Sequence, residues 1–255
     1  MKPSERIHIA PLGFERDRVV EAAKQLKADR VVLLEWAQGK QPDLFEEVHN
    51  DLEANNIEPE TRSCDIFELY DVIRVTASTV RQYSNDEVYV NLSTGSKISA
   101  IGGMVACMVT EASPYYVKPE YYGDTNGPSI EPVSYGIKNI EELPAYPIDA
   151  PEEQQIYVLE YIYRHGPVTK VELIEFGQGQ GKDLPVGAPE QGLPFITDYD
   201  AGSRKGRYNL LENHILDQLR EKRFIELTEV GRRTDIRLTE NGENTLTAFR
   251  HLIET

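Results

Sequence analysis

The chain has 255 residues, of which 40% are hydrophobic and 27% charged, and its formal net charge is −16. That balance describes a globular chain with room for one large domain or two modest ones, and it excludes a disordered or collagen-like chain. No apolar run approaches the ~20 residues that span a bilayer, and the N-terminus enters a strand pattern without an apolar signal core, so a cytoplasmic protein with no membrane partner is expected.

Arg6–Leu12 reads as a first strand, Gly13–Asp17 as a turn, and Arg18–Lys27 as a helix with Val19, Val20, Ala23 and Leu26 on one face. Val31–Glu35 is almost wholly apolar, as in a parallel strand covered on both sides. Together they form a βαβ unit. Its turn carries Gly13 alone, so the G-x-G-x-x-G dinucleotide fingerprint is missing and a nicotinamide or flavin site is not expected. Asp43–Asn55 reads as an acidic amphipathic helix, Glu60–Ile66 as a third strand, and Leu69–Tyr83 as another helix. A fourth strand through Val88, Tyr89, Val90 and Leu92 then breaks at Ser93-Thr94-Gly95-Ser96. The helix that follows, Lys97–Glu111, is apolar or small around most of its circumference, which predicts burial on more than one side. Pro114–Pro119 reads as a fifth strand, and Ser134–Ile137 as an edge strand. This alternation is that of a Rossmann-like parallel sheet. The proline-bearing stretch Leu143–Pro151 reads as a linker, giving domains 1–147 and 148–255.

The turn Ser93–Ser96 feeds a helix N-terminus, where free N–H groups and the helix dipole favour an anion. Lys97 adds a charge there. The same sequence also reads as an ordinary βα turn with an N-cap, and it is not a P-loop, since G-x-x-x-x-G-K-[ST] is absent. Cys64 and Cys107 are far apart and the five histidines do not cluster, so neither a metal site nor a disulfide is expected.

A first strand ending in Leu12-Gly13-Phe14-Glu15-Arg16, and a fourth ending in Asn91-Leu92-Ser93-Thr94-Gly95-Ser96-Lys97 before a small-residue helix, resemble the CARF domain. That domain is the ligand sensor of CRISPR-associated regulators and effectors. Its turn is usually written N-x-T-G-G-[TM]-[KR]; here Ser96 replaces the second glycine. The resemblance covers about residues 5–145. It implies a homodimer that senses a cyclic oligoadenylate, commonly the tetra-adenylate, across its two-fold. The ligand-binding residues it implies are Leu12, Gly13, Phe14 and Arg16 from the first turn, and Asn91, Ser93, Thr94, Gly95, Ser96 and Lys97 from the second. Ala100, Gly102 and Gly103 would then allow close helix approach at the dimer. No resident cofactor is implied; the cyclic nucleotide is an effector.

The second half begins with a helix opened by Pro151-Glu152-Glu153, with Ile156, Leu159, Ile162 and Tyr163 as its inner stripe. Val168–Phe176 and Ser203–Lys222 read as two further helices, and Gly177–Gly202 between them as a flexible insertion. Phe224–Thr228 and Thr234–Leu238 form a hairpin around Glu229–Arg233, and a last helix follows Thr239. Helices plus a basic hairpin describe a small α+β winged helix-turn-helix domain. The stretch Phe224–Leu246 resembles the wing region of archaeal and bacterial winged-helix regulators. Arg204, Lys205 and Arg207 open the third helix, the end that enters the major groove in such proteins, with Tyr208, Asn209 and Asn213 behind them. Arg232 and Arg233 tip the wing.

Net charge alone argues against nucleic acid. Here, however, the acidity is dispersed (Asp43, Glu46, Glu47, Asp51, Glu53) as in proteins of salt-accumulating halophiles, whose DNA-binding proteins are acidic too. The local placement of Arg and Lys therefore decides, and it favours double-stranded DNA. The whole chain resembles archaeal CARF–winged-helix transcriptional regulators. Two alternatives stay open: a metal-independent ring nuclease that cleaves cyclic oligoadenylate, and a dimeric regulator that has lost its ligand.

Overall fold

The computed structural model describes residues 3–36, 43–123, 134–180, 184–185, 187–199, 202–231 and 233–254. The chain forms two compact units, Met1–Asp149 and Ala150–Thr255.

The first unit contains β1 (Arg6–Pro11), α1 (Arg16–Gln25), β2 (Arg30–Glu35), α2 (Asp43–Ala54), β3 (Glu58–Ser63), α3 (Leu69–Gln82), β4 (Glu87–Asn91), α4 (Lys97–Val109), β5 (Ser113–Lys118), β6 (Tyr121–Tyr122), β7 (Ser134–Tyr135) and β8 (Asn139–Glu142). Its main sheet has the order β3-β2-β1-β4-β5-β8. The first five strands run parallel and β8 closes the edge antiparallel to β5. β6 and β7 pair with each other as a separate ribbon. The strand order reverses between β1 and β4, so the carboxyl ends of these two strands flank the crevice where doubly wound sheets bind ligands.

Helices cover both faces. Ile7, Ile9, Val88 and Val90 pack with Val72 and Val75 of α3 and Cys107 of α4. Ala10, Leu12, Val31 and Leu33 pack with Val19 and Val20 of α1 and Val48 and Leu52 of α2. This two-sided cover explains why β2 reads as an unbroken apolar run. β3 ends at Ser63 rather than at Ile66. Ile66 instead turns its side chain into the core while its carbonyl accepts the Ser96 hydroxyl.

Within the single chain α4 is buried on one side, Ser99, Gly102, Gly103, Ala106 and Cys107, while Ile98 and Ile101 on its other side are exposed. Gly102 is in close contact with α3: a Cβ there would lie 2.8 Å from Val72 Cγ1. A Cβ on Gly103 would lie 2.8 Å from Leu92 Cδ2. The two glycines therefore serve packing inside this chain, and Ala100 is partly buried against the same core.

The second unit contains α5 (Glu153–His165), β9 (Val168–Thr169), α6 (Lys170–Gly177), α7 (Pro194–Thr197), α8 (Arg204–Leu211), a π turn over Glu212–Leu216, α9 (Asp217–Glu221), β10 (Ile225–Val230), β11 (Arg233–Leu238) and α10 (Glu240–Phe249). The strands form an antiparallel sheet β10-β11-β9. This is a winged helix domain. Val168 opens a strand rather than a helix because it pairs with Ile236. Side-chain caps start three of the helices: Thr169 on α6, Ser203 on α8 and Thr239 on α10. The expected single helix over residues 203–222 is interrupted by its π turn.

The stretch between α6 and α8 is not wholly an appendage, as the sequence suggested. Leu193, Phe195 and Ile196 are buried in the winged-helix core, and the Phe195 ring packs onto Gly177. Burying Phe195 alone contributes roughly 1.5–3 kcal/mol, enough to hold a short helix in place. Among the described residues no helix is long and apolar enough to cross a membrane, and no cluster of His, Cys, Asp or Glu is arranged to hold a metal ion.

Candidate ligand site and candidate nucleic-acid interface

The two βα turns marked in the sequence lie side by side. A Cβ on Gly13 would sit 3.0 Å from Gly95 Cα, so the backbones touch where only glycine leaves room. Gly95 has φ +77°, and a side chain there would meet Pro11 Cβ and Ser99 Oγ at 2.7 Å. Leu12, grouped with the first turn in the sequence, has its side chain wholly in the core. Phe14 is about half exposed at the crevice. Arg16 is tied outward, in ion pairs with Asp17 at 2.9 Å and with Asp51.

The second turn is held from below. Asn91 is fully buried; its amide donates to the Arg18 carbonyl at 3.0 Å, and its Oδ1 accepts the Ser93 N–H at 2.9 Å and the Ser93 hydroxyl. Ser96 caps α4 in a reciprocal box with Ser99: Ser96 Oγ accepts the Ser99 N–H at 2.9 Å, and Ser99 Oγ accepts the Ser96 N–H at 2.8 Å. The Gly95 N–H donates to the Glu15 carboxylate at 3.3 Å. Two of the N–H groups expected to meet an anion are therefore already engaged, and one of their acceptors is itself an anionic side chain. Burial raises the Glu15 pKa above the ordinary carboxylate value, against the lowering effects of that Gly95 N–H and of the Arg18 charge. Thr94 is buried, and its Oγ1 has no hydrogen-bond partner among the described residues. Lys97 is exposed at the first helical residue.

The residue that sequence reasoning missed is Arg18, which along the chain is only the start of a helix. It is 6% exposed and its guanidinium reaches the second turn, donating to the Ser93 carbonyl at 2.5 Å and to Ser134 Oγ at 2.9 Å. Among the described residues it forms no ion pair. Tyr122 of β6 lies over it, with the ring centroid 5.6 Å away. The Asp17 carboxylate ties the same ribbon to α1 by accepting the Gly136 N–H at 2.9 Å. Deeper under the turn, buried His8 is hydrogen-bonded through Nδ1 to the Tyr115 hydroxyl at 3.0 Å. Burial, with a smaller push from Arg6, lowers the His8 pKa to about 4, so the ring is neutral near pH 7. Burial also pushes the Cys64 and Cys107 thiols up to about 12, so neither is a thiolate nucleophile.

In the second unit, Arg204, Lys205 and Asn209 are exposed on α8, and Asn213 is exposed on the π turn. Arg204 lies 5.8 Å from the Tyr208 ring centroid. Arg207 is partly buried and donates to Gln178 Oε1 at 3.4 Å. None of Arg204, Lys205 and Arg207 has a carboxylate partner among the described residues. The nearby acid Glu212 is paired with Lys170 at 2.6 Å. The wing differs: Arg233 is paired with buried Asp235 at 2.8 Å, while Arg232 lies outside the described residues.

Residues 6–122 match the family model described as "HFX_2341_N:-like, N-terminal", and residues 154–250 match the "DUF6293 C-terminal winged helix domain". An uncharacterized protein of Methanocaldococcus jannaschii, MJ1513, is 25% identical over 190 residues, which is 63% of this chain and 56% of that protein. The chain thus matches little more than half the length of this curated relative. Among solved structures, Can2 of Sulfobacillus thermosulfidooxidans in complex with cyclic tetra-adenylate is similar over 96% of this chain and 62% of its own, at 14% identity and a TM-score of 0.41. Csm6 of Enterococcus italicus bound to cyclic hexa-2′-fluoro-hexa-dAMP is similar over 50% of this chain and 36% of its own, at 18% identity and a TM-score of 0.36.

Proposed function

We propose that the protein is a DNA-binding transcriptional regulator whose N-terminal α/β unit senses a cyclic oligoadenylate at a homodimer interface. The observation that carries this reading is one chain joining a winged helix to a doubly wound sheet with two abutting βα turns at its switch point. The CARF-like residues of those turns name the ligand class. Thr94, Gly95, Ser96 and Lys97 face the effector's phosphate, with Gly13 and Phe14 beside them. Ligand phosphate displaces the Glu15 carboxylate from the Gly95 N–H. The second copy docks on the exposed Ile98–Ile101 side of α4, next to the turn. On DNA, Arg204, Lys205 and Arg207 meet phosphates and base edges, with Tyr208, Asn209 and Asn213 behind them and Arg232 and Arg233 at the wing. The dispersed acidity fits a salt-rich archaeal cytoplasm.

Calorimetry with cyclic tetra-adenylate tests the sensor. Binding is expected, and Lys97→Ala should weaken it several-fold, the scale of one exposed charge. Absence of heat with any cyclic oligoadenylate would leave a regulator without this effector.

One observation favours a second, enzymatic reading. Glu15, a partly buried carboxylate of raised pKa, sits at the turn and fits a general base. It would take the proton of a ribose 2′-hydroxyl as that oxygen attacks phosphorus and the 5′-oxygen leaves. Linear products from cyclic tetra-adenylate, abolished in Glu15→Gln, would establish it.

A further inference from the structure

We infer that Tyr122 is a nucleobase platform of the ligand site and that buried Arg18 is the cation beneath it. The inference rests on the sensor reading above and names parts of the site that the turn motifs do not include.

Taking a guanidinium out of water is costly unless a negative group compensates it. Arg18 is almost fully buried, yet its hydrogen-bond partners among the described residues are a carbonyl and a hydroxyl, both neutral. Glu15 feels the Arg18 charge but, among the described residues, makes no ion pair with it. Two of the five guanidinium N–H donors are engaged, so others remain for an anion at the Ser93 turn.

Above this cation lies a flat aromatic surface. Tyr122 is 66% exposed, and its ring lies against Arg18. The ribbon that carries it is fixed to α1 at two points, Arg18 to Ser134 and Gly136 to Asp17. Tyr122 pairs with Ser134 across that ribbon, which puts it on the Arg18 side. Its neighbour Tyr121 points to the other side, as consecutive strand residues do, and stacks on Tyr135 with centroids 5.5 Å apart. A buried cation without an ion pair among the described residues, with an open aromatic ring beside it, fits a ligand carrying both a phosphate and a planar base. Stacking on such a ring tolerates any base, so the platform supplies affinity, and base identity is read elsewhere.

Titration of the full-length protein with cyclic tetra-adenylate, and separately with inorganic phosphate, tests this. Tyr122→Ala should weaken cyclic tetra-adenylate binding by roughly 5- to 150-fold for each base that no longer stacks. Tyr122→Phe should retain it within about threefold, because the ring face is kept. Tyr121→Ala, on the opposite side, should bind as the parent does. Phosphate affinity should be equal in all four proteins. All three substitutions are at exposed positions, and circular dichroism checks that each variant is folded. If the parent binds cyclic tetra-adenylate and Tyr122→Ala binds it equally well, the platform is overturned and the sensor survives. If the parent binds no oligoadenylate, the sensor reading fails and this inference fails with it.

Discussion

The two candidate surfaces treat positive charge in opposite ways. Near the N-terminal turns, Arg18 is buried and hydrogen-bonded, Arg16 is locked by two aspartates, and Lys97 is exposed to solvent. On α8, Arg204 and Lys205 project into solvent without a carboxylate partner among the described residues. The first arrangement has already given up its conformational freedom, which suits a small ligand of fixed shape. The second keeps its freedom and suits a polyanion, where affinity comes from neutralising a row of phosphates and releasing their counterions. An acidic chain can hold both, because what matters is the local field and not the sum.

The contrast between a rigid turn and an open helix is broken most severely at Gly95. Gly95→Val forces φ +77° on a β-branched residue and drives its side chain into Pro11 and Ser99. A stability loss of about 4 kcal/mol is expected, from backbone strain and overpacking together. Urea denaturation reads it, and an unchanged midpoint would show that the turn is soft.

Acid should weaken the first unit next. His8 has a folded-state pKa of about 4, below its unfolded value. Between those two values the unfolded chain binds the extra proton, so stability falls as pH drops through that window. The loss should reach about 3 kcal/mol by pH 4 relative to His8→Gln, as one pKa unit is worth about 1.4 kcal/mol. Parallel urea curves for the two proteins at pH 7 and pH 4 measure the difference, and identical pH dependence would remove His8 as its cause.

On α8, triple replacement of Arg204, Lys205 and Arg207 by Gln should lower affinity for the chain's own upstream DNA at least tenfold. It should also reduce the salt slope by up to about three, near one for each phosphate no longer neutralised. Thermal stability should hold, since these side chains carry no ion pair among the described residues. Specific binding that survives the triple change would mean that α8 is not the reader.

The smallest effect is expected at Thr94. Thr94→Val removes a buried hydroxyl that lacks a partner, so stability should stay within about 0.5 kcal/mol or rise slightly. Effector binding should fall nonetheless if that hydroxyl is kept for the ligand. A clear loss of stability would show instead that Thr94 Oγ1 is satisfied in solution, for example by water.

Much of the fold was legible from periodicity. The apolar run Val31–Leu34, the 3.6-residue pattern of α3 and the hairpin over residues 225–238 each reflect which faces must leave water. The glycines at 13 and 95 were legible too, because a turn that abuts another backbone excludes a side chain. Arg18 was not legible: in sequence it is one more charge at a helix start. What covers the second apolar side of α4 was not legible, because an apolar helix looks the same whether that side meets its own core or is left exposed on the single chain, as Ile98 and Ile101 are. Phe195 was hidden inside a stretch whose glycines and polar residues read as loop.

The sequence alone thus determined the alternation of β1–β5 with α1–α4, the helix-and-hairpin outline of the second unit and the two small-residue turns, since all three depend on local patterns of polarity and backbone freedom. Only the tertiary structure decided that Glu15 sits on the Gly95 N–H, that Arg233 pairs with Asp235, and that Arg18 passes beneath the Ser93 turn to reach Ser134. Those meetings depend on the packing angle of α1 on the sheet and on the register of the β6–β7 and β10–β11 ribbons. Long side chains reach several ångströms from their own backbone, and no spacing along the chain encodes where their ends arrive.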